Sequence, residues 1–228
     1  VQGIIGGKRV LLDATHLPGF DMSLGQILRI PHGILAQVYV CMLFALAAGL
    51  CRPWIERRGS SELPARVRQL AVASTFLLFV QLVIAATMRH NYAGLAIPTF
   101  PLTPEGGLIP SAWDFRVAIH FAHRAMALVL TISLSWLAAA IWRARTGDGI
   151  KLAAATMAAL LVIQVSLGAA AIWTMRNPYY TTAHVIVGAC LLAATFSVTW
   201  WAHRDRIERV PTGTKSRDGR TNFEAVGA

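Results

Sequence analysis

The sequence predicts an all-α membrane protein with five complete transmembrane helices plus the end of another. Three observations predict it. The 228 residues are 55% hydrophobic and only 14% charged, with a positive mean hydropathy, which is too apolar for a soluble domain. Five apolar runs each reach the ~20 residues that a spanning helix needs. Three histidines, His32, His123 and His184, each lie a few residues inside such a run, near the end that faces one common side of the membrane. Ionisable side chains in a bilayer are costly and mark function.

The runs cover residues 31–50, 67–88, 114–142, 150–174 and 180–202. Pro31 suits the first turn of its helix, where a missing N–H is no loss, and Pro178 does the same just ahead of the last run. Trp113, Trp142, Trp173, Trp200 and Trp201 fall at run ends, as an aromatic belt requires. The opening Val1-Gln2-Gly3-Ile4-Ile5-Gly6-Gly7 has no basic signal-peptide region and reads as the tail of a helix, so the expectation is a chain numbered from inside a longer one. Three units are expected: residues 1–66 as the remainder of an N-terminal half-bundle, 67–203 as a C-terminal four-helix bundle, and 204–228 as a polar, disordered tail.

A net charge of +10 would suit nucleic acid, but the charges cluster in short loops between apolar runs, which excludes that partner and leaves membrane lipid. Cys41 and Cys190 lie within runs and Cys51 at a run's end, so neither a disulfide framework nor a zinc spacing is present. Basic residues set the orientation. Fourteen Lys and Arg fall in the first and third inter-helix loops and the tail, against six on the opposite side, with Arg124 inside a run. The tail and the Arg52-containing loop are therefore expected in the cytoplasm, and the 89–113 loop outside, in a multi-pass protein of the cell's inner (plasma) membrane.

A short pattern recurs. Glutamine, two residues, an aliphatic and two small residues appear as Gln2-Gly3-Ile4-Ile5-Gly6-Gly7, Gln81-Leu82-Val83-Ile84-Ala85-Ala86 and Gln164-Val165-Ser166-Leu167-Gly168-Ala169. After each copy comes an outer turn and then a helix with an early histidine. The repeated unit is a hairpin, and two complete hairpins make the last four helices an antiparallel four-helix bundle with two inward histidines. Small residues allow close approach of a helix or a flat macrocycle.

Two neutral imidazoles on facing helices are a standard way to hold a haem iron from both sides. His123 lies roughly 13 Å along its helix from Asp114, and His184 roughly 6 Å from Tyr180, at 1.5 Å per residue. Arg124, adjacent to His123, needs an anion, which a haem propionate supplies. Gly188, one turn beyond His184, leaves room for a porphyrin. These residues predict a haem-binding bundle with iron between His123 and His184. The alternative for each ring is a core histidine bonded to a main-chain carbonyl. His120 shares a face with His123 and is the competing ligand, with Arg124 favouring His123. His32 occupies the equivalent place in the preceding hairpin, and its partner is expected on a helix before Val1. His16 and His90 are read as solvated or interfacial.

The chain resembles the heme A synthase family, membrane enzymes of cytochrome oxidase assembly. The resemblance rests on Gln81 through Met88-Arg89-His90, Gly94-Leu95-Ala96-Ile97-Pro98-Thr99-Phe100-Pro101, His123-Arg124, Gln164-Val165-Ser166-Leu167-Gly168, Thr182-Ala183-His184 and Gly188. Gln2-Gly3, Gly6-Gly7, Arg9-Val10 and His32 fit the end of span three and the start of span four in that family's eight-span plan. The resemblance implies haem b on His123 and His184, His32 as a ligand of the substrate haem, and oxidation of the haem O methyl to formyl, giving haem A. It implies haem O synthase and oxidase assembly factors as partners, with oligomerisation open. Two departures stand out: Ile97 replaces a cysteine before Pro98, and Thr99 replaces an aspartate after it. A haem-b electron-transfer protein without substrate chemistry is the second reading, and a haem-free assembly or transport protein the third. Residues 1–228 alone are expected to hold one haem without converting haem O.

The orientation is testable with fusions. A reporter inserted at Gly106-Gly107 is expected to read as extracytoplasmic and one after Arg220 as cytoplasmic. The opposite pattern would reverse the placement of all three histidines.

Overall fold

The structure is a computed structural model that describes residues 1–16, 22–56 and 63–207. Eight α-helices follow in order: α1 (Gln2–Leu11), α2 (Leu24–Leu50), α3 (Arg52–Ile55), α4 (Ala65–His90), α5 (Phe115–Arg143), α6 (Asp148–Trp173), α7 (Pro178–Ala202) and α8 (Arg204–Ile207). Five of them, α2 and α4 to α7, are long and apolar enough to cross a membrane. A bilayer offers the backbone no water, so helices that satisfy their own N–H and C=O groups are the form such runs take.

The helix starts are set by caps more than by apolar content. The largest difference from the sequence expectation is at α2, which starts at Leu24, not near Pro31. Ser23 Oγ accepts from the Gln26 N–H while the Gln26 side chain accepts from the Ser23 N–H, a reciprocal capping box. Pro31 therefore lies inside the helix, where its ring removes one main-chain hydrogen bond to the preceding turn. Asp114 caps α5 by accepting from the Val117 N–H at 2.7 Å, and Asn177 caps α7, with Pro178 as the first helical residue. Asp13, at the turn between α1 and α2, is exposed and paired with Arg29 at 2.5 Å.

Helices α4 to α7 form a closed ring of neighbours, α4 against α5, α5 against α6, α6 against α7 and α7 against α4. Consecutive helices are antiparallel, so α5 and α7 stand on one diagonal. α2 packs outside this ring on α4 and α7, and α1 packs on α2.

The apolar core occupies one end of the bundle. Its fully or nearly fully buried members include Ala71 of α4, Leu134, Leu137 and Ile141 of α5, Ala154 and Met157 of α6, and Val198 of α7. All lie toward the ends of their helices remote from His123 and His184. Hydroxyls tie this end together: Ser74 to Ser133 across α4 and α5 at 2.8 Å, and Thr75 to Thr199 across α4 and α7 at 2.8 Å. Between apolar helices in lipid such bonds have no water competing for them.

An aromatic clamp missed by the sequence reading fastens α3 to the end of α7. Trp54 is 5% exposed, stacks on Trp200 with ring centres 6.0 Å apart and meets Trp201 edge-on at 5.1 Å. The buried Arg204 guanidinium lies over Trp54 and Trp201 and donates to the Trp54 carbonyl. The first four residues of the expected tail are thus a short helix with a buried Arg204, while 208–228 lie outside the described residues.

Glycines at the N-terminal hairpin give a sharp test. A Cβ at Gly25 would stand 2.4 Å from the Arg9 carbonyl oxygen and 2.6 Å from the Asp13 Cα, whereas nothing lies within 4 Å of one at Gly33. Gly25→Ala is expected to lower the thermal midpoint in detergent through a backbone clash that costs on the order of 1–3 kcal/mol. Gly33→Ala is expected to leave it unchanged or raise it by the roughly 0.5–1 kcal/mol that alanine gains over glycine in a helix.

Candidate functional site

The hairpin repeat has one register in three dimensions. Gln2, Gln81 and Gln164 each stand ten residues before the C-cap of their helix, at Leu12, Asn91 and Thr174. His32, His123 and His184 stand nine, nine and seven residues after the N-caps Ser23, Asp114 and Asn177. Measured from the caps, the histidines are closer in depth than the apolar run ends imply, because α7 starts before Tyr180.

Each glutamine meets its histidine across the hairpin. Gln2 Nε2 donates to the His32 carbonyl at 2.9 Å, and Gln81 Nε2 to the His123 carbonyl at 3.1 Å. In the third hairpin His184 Nδ1 lies 3.1 Å from the Gln164 carbonyl, and Gln164 Nε2 lies 3.3 Å from His184 Nε2. The small residue one turn beyond the glutamine seats the ring: a Cβ at Gly6 would come 3.0 Å from His32, and one at Gly168 3.2 Å from His184. A larger residue there would displace the imidazole.

The structure brings His123 and His184 together across the α5–α7 diagonal, with ring centres 6.4 Å apart and planes 65° from one another. Two imidazole nitrogens each about 2.0–2.1 Å from a shared metal would stand roughly 4 Å apart, which places the ring centres on the order of 6 Å apart. Rotation of either ring about its metal–nitrogen bond would leave that separation unchanged, so the angle between planes is no obstacle. His123 Nδ1 is buried without a hydrogen-bond partner, as is His32 Nδ1. Among the described residues no group of three or more His, Cys, Asp or Glu side chains converges. The donor set is thus two facing imidazoles, which suits a metal whose remaining ligands come from a macrocycle. On these observations the residues fit a haem.

His120 is 3% exposed and serves the loop between α4 and α5. The Ile97 N–H donates to its Nδ1 at 3.2 Å, and Arg124 Nε lies 3.2 Å from its Nε2. A neutral imidazole accepts at one nitrogen only, so one of these two donors is bonded at a time, and the ring opposite His184 is that of His123.

Arg124 has partners other than the expected anion. It donates to the carbonyls of Ile97 at 2.8 Å and Thr99 at 2.6 Å, and its guanidinium lies 5.7 Å from the Phe100 ring centre. The reason is the course of the loop between α4 and α5, which turns back over α5 through a 3₁₀ turn at Ala93–Leu95 and buries Ala93 and Ile97. Carbonyl dipoles then meet the charge. Trp173 Nε1 holds the same loop from α6 by donating to the Phe100 carbonyl at 3.1 Å.

Gly188 does not open onto free space. A Cβ there would stand 3.0 Å from Gln164 Nε2, so its smallness accommodates the glutamine amide. His90 is half-buried and lines a cavity of about 460 Å³ with Met22, Gln26, Tyr92 and Asp114, which includes neither His123 nor His184. The glutamine roles escaped assignment from sequence, although the repeated Gln-plus-small pattern was their signal.

Residues 1–206 match the family model described as cytochrome oxidase assembly protein. The chain belongs to this family, that of the heme A synthases. It is similar to the heme A synthase of Bradyrhizobium sp. strain ORS 278, at 31% identity over 106 residues, which is 41% of this chain and 29% of the relative. It is 32% identical over 103 residues to the heme A synthase of Bradyrhizobium sp. strain BTAi1, covering 40% of this chain and 28% of that protein. The matched stretch thus spans less than a third of the length of either curated relative.

The Arg124 staple has a direct readout. Charge-assisted hydrogen bonds contribute about 1.5–3 kcal/mol each. Arg124→Ala is therefore expected to speed amide exchange of residues 97–103 roughly tenfold or more, with the exchange of the α5 core near Leu134 unchanged. Equal protection in variant and parent would show that the loop is held by other contacts.

Proposed function

We propose that the full-length protein acts in haem A biosynthesis as an oxidoreductase that converts the haem O methyl group to formyl for cytochrome oxidase assembly. The observation that carries this reading is the pair His123 and His184, facing at 6.4 Å in a chain of the heme A synthase family. In this reading the two imidazoles hold a haem b in the C-terminal bundle, and bound there it supplies one-electron transfer. His32, with Gln2 and Gly6 against it in the same arrangement, serves as a ligand for the substrate haem in the N-terminal half.

The chain's own residues have distinct tasks. The Gln164 carbonyl accepts a hydrogen bond from His184 Nδ1–H and so leaves Nε2 as the basic nitrogen for iron. Gly168 fixes the ring's seat. The outer loop, held by Arg124, His120 and Trp173, covers α5 near His123 and limits water at that end. The packed Leu134 and Met157 end of the bundle closes the other side. The site lies in the outer half of the inner (plasma) membrane, with the C-terminus cytoplasmic, and haem O synthase and oxidase assembly factors are the partners that this activity implies.

Spectroscopy of the purified full-length protein tests the ligand set, and haem extraction tests the reaction. His123→Ala and His184→Ala are each expected to lose the split, low-spin visible bands of reduced six-coordinate haem. His120→Ala is expected to keep them. Loss of haem in His120→Ala with retention in His123→Ala would overturn the ligand assignment. A protein with intact low-spin haem that leaves haem O unconverted, given reductant and oxygen, would favour electron transfer without substrate chemistry.

A further inference from the structure

Gln164 departs from its two counterparts in one respect. Gln2 and Gln81 give their side-chain amides to the main-chain carbonyls of His32 and His123. Gln164 directs its amide to the ring of His184 instead, with Nε2 to Nε2 at 3.3 Å. The protonation pattern follows from the partners. A carbonyl only accepts, so His184 Nδ1, 3.1 Å from the Gln164 carbonyl, carries the hydrogen. Neutral imidazole then has its lone pair on Nε2, and the Gln164 amide N–H is the donor to it. Gln164 Oε1 is buried without a partner, so this is the contact that holds the amide in place.

Gly188 makes the position available. The residues one turn after the other two histidines are Ala36 and Ala127. A methyl group at 188 would stand 3.0 Å from Gln164 Nε2. The third hairpin thus has both a glutamine turned toward its histidine and a glycine that leaves room for it.

An imidazole nitrogen has one in-plane lone pair. The Gln164 amide and an iron cannot both hold His184 Nε2. We propose that Gln164 is a positioning residue with two stations: it caps His184 Nε2 against other acceptors of that lone pair, and it yields to haem iron by turning to the His184 main-chain carbonyl, the station that Gln2 and Gln81 occupy in their hairpins. The proposal rests on His184 being a haem ligand. It assigns Gln164 control over how readily the site takes up haem, without contact with substrate.

The test uses full-length protein produced under haem limitation and then mixed with haemin. Gln164→Leu removes the amide. Gly188→Ala pushes it off the ring. Both keep the His184 Nδ1 bond, whose acceptor is a main-chain carbonyl. Each is expected to form the low-spin Soret species about three- to tenfold faster than the parent, the factor that a neutral hydrogen bond is worth. In haem-free protein with ¹⁵N-labelled histidine, the His184 Nε2 resonance is expected to move in Gln164→Leu toward that of an unbonded ring nitrogen, while Nδ1 stays protonated. Unchanged or slower uptake in the folded variants, a five-coordinate product, or a stationary Nε2 resonance would overturn the proposal. If Gln164→Leu fails to fold, the uptake rate of Gly188→Ala decides. Retention of low-spin haem by His184→Ala would instead remove the ligand reading on which the proposal stands, so the two failures are distinguishable.

Discussion

The contact between a glutamine on each outgoing helix and a histidine on the returning one is the constraint on which the arrangement depends. Two antiparallel helices in lipid slide along one another with little change in apolar contact, because lipid is as apolar as their side chains. A polar bond within that contact sets the register. Gln2 to His32 and Gln81 to His123 do so through a side-chain amide and a main-chain carbonyl. Gln164 and His184 do so through the opposite pairing, carbonyl to ring. The equal distances from glutamine to C-cap in all three hairpins show one unit used three times.

The bundle divides its labour along its length. Toward one end, Leu134, Leu137, Ile141, Met157 and Val198 are fully buried and hydroxyl pairs cross between helices. Toward the other end, the interior holds half-buried imidazoles, glutamine amides and small residues. The packed end supplies rigidity and the histidine end holds the polar side chains. Because α5 and α7 are diagonal, their histidines meet across the interior and not at a helix–helix seam, where no flat group would fit between them.

The loop between α4 and α5 shows how a half-buried charge is used when no carboxylate is near. Arg124 gathers two carbonyls, an imidazole and an aromatic ring from a loop that folds over its own helix. His120 shares this work, which explains two histidines three residues apart with only one facing α7. Ile97 is 2% exposed and contributes its N–H and carbonyl to the staple.

The sequence alone determined the five spans and the hairpin repeat, because each is a local property of apolar run length and spacing, whereas the positions of His32 and His184 along their helices follow from the caps at Ser23 and Asn177. It also contained the Ser23–Gln26 cap that starts α2 seven residues before Pro31, although apolar content drew the boundary too late. Only the tertiary structure decided what depends on distance between remote segments. It set the 6.4 Å meeting of His123 and His184, 61 residues apart in the chain. It gave Arg124 carbonyl partners, filled the space at Gly188 with Gln164, and closed Trp54 against Trp200 and Arg204. Periodicity fixes which face of a helix a residue occupies. Which atom it meets there is fixed by how neighbouring helices rotate and slide, and that is settled by packing of the whole bundle.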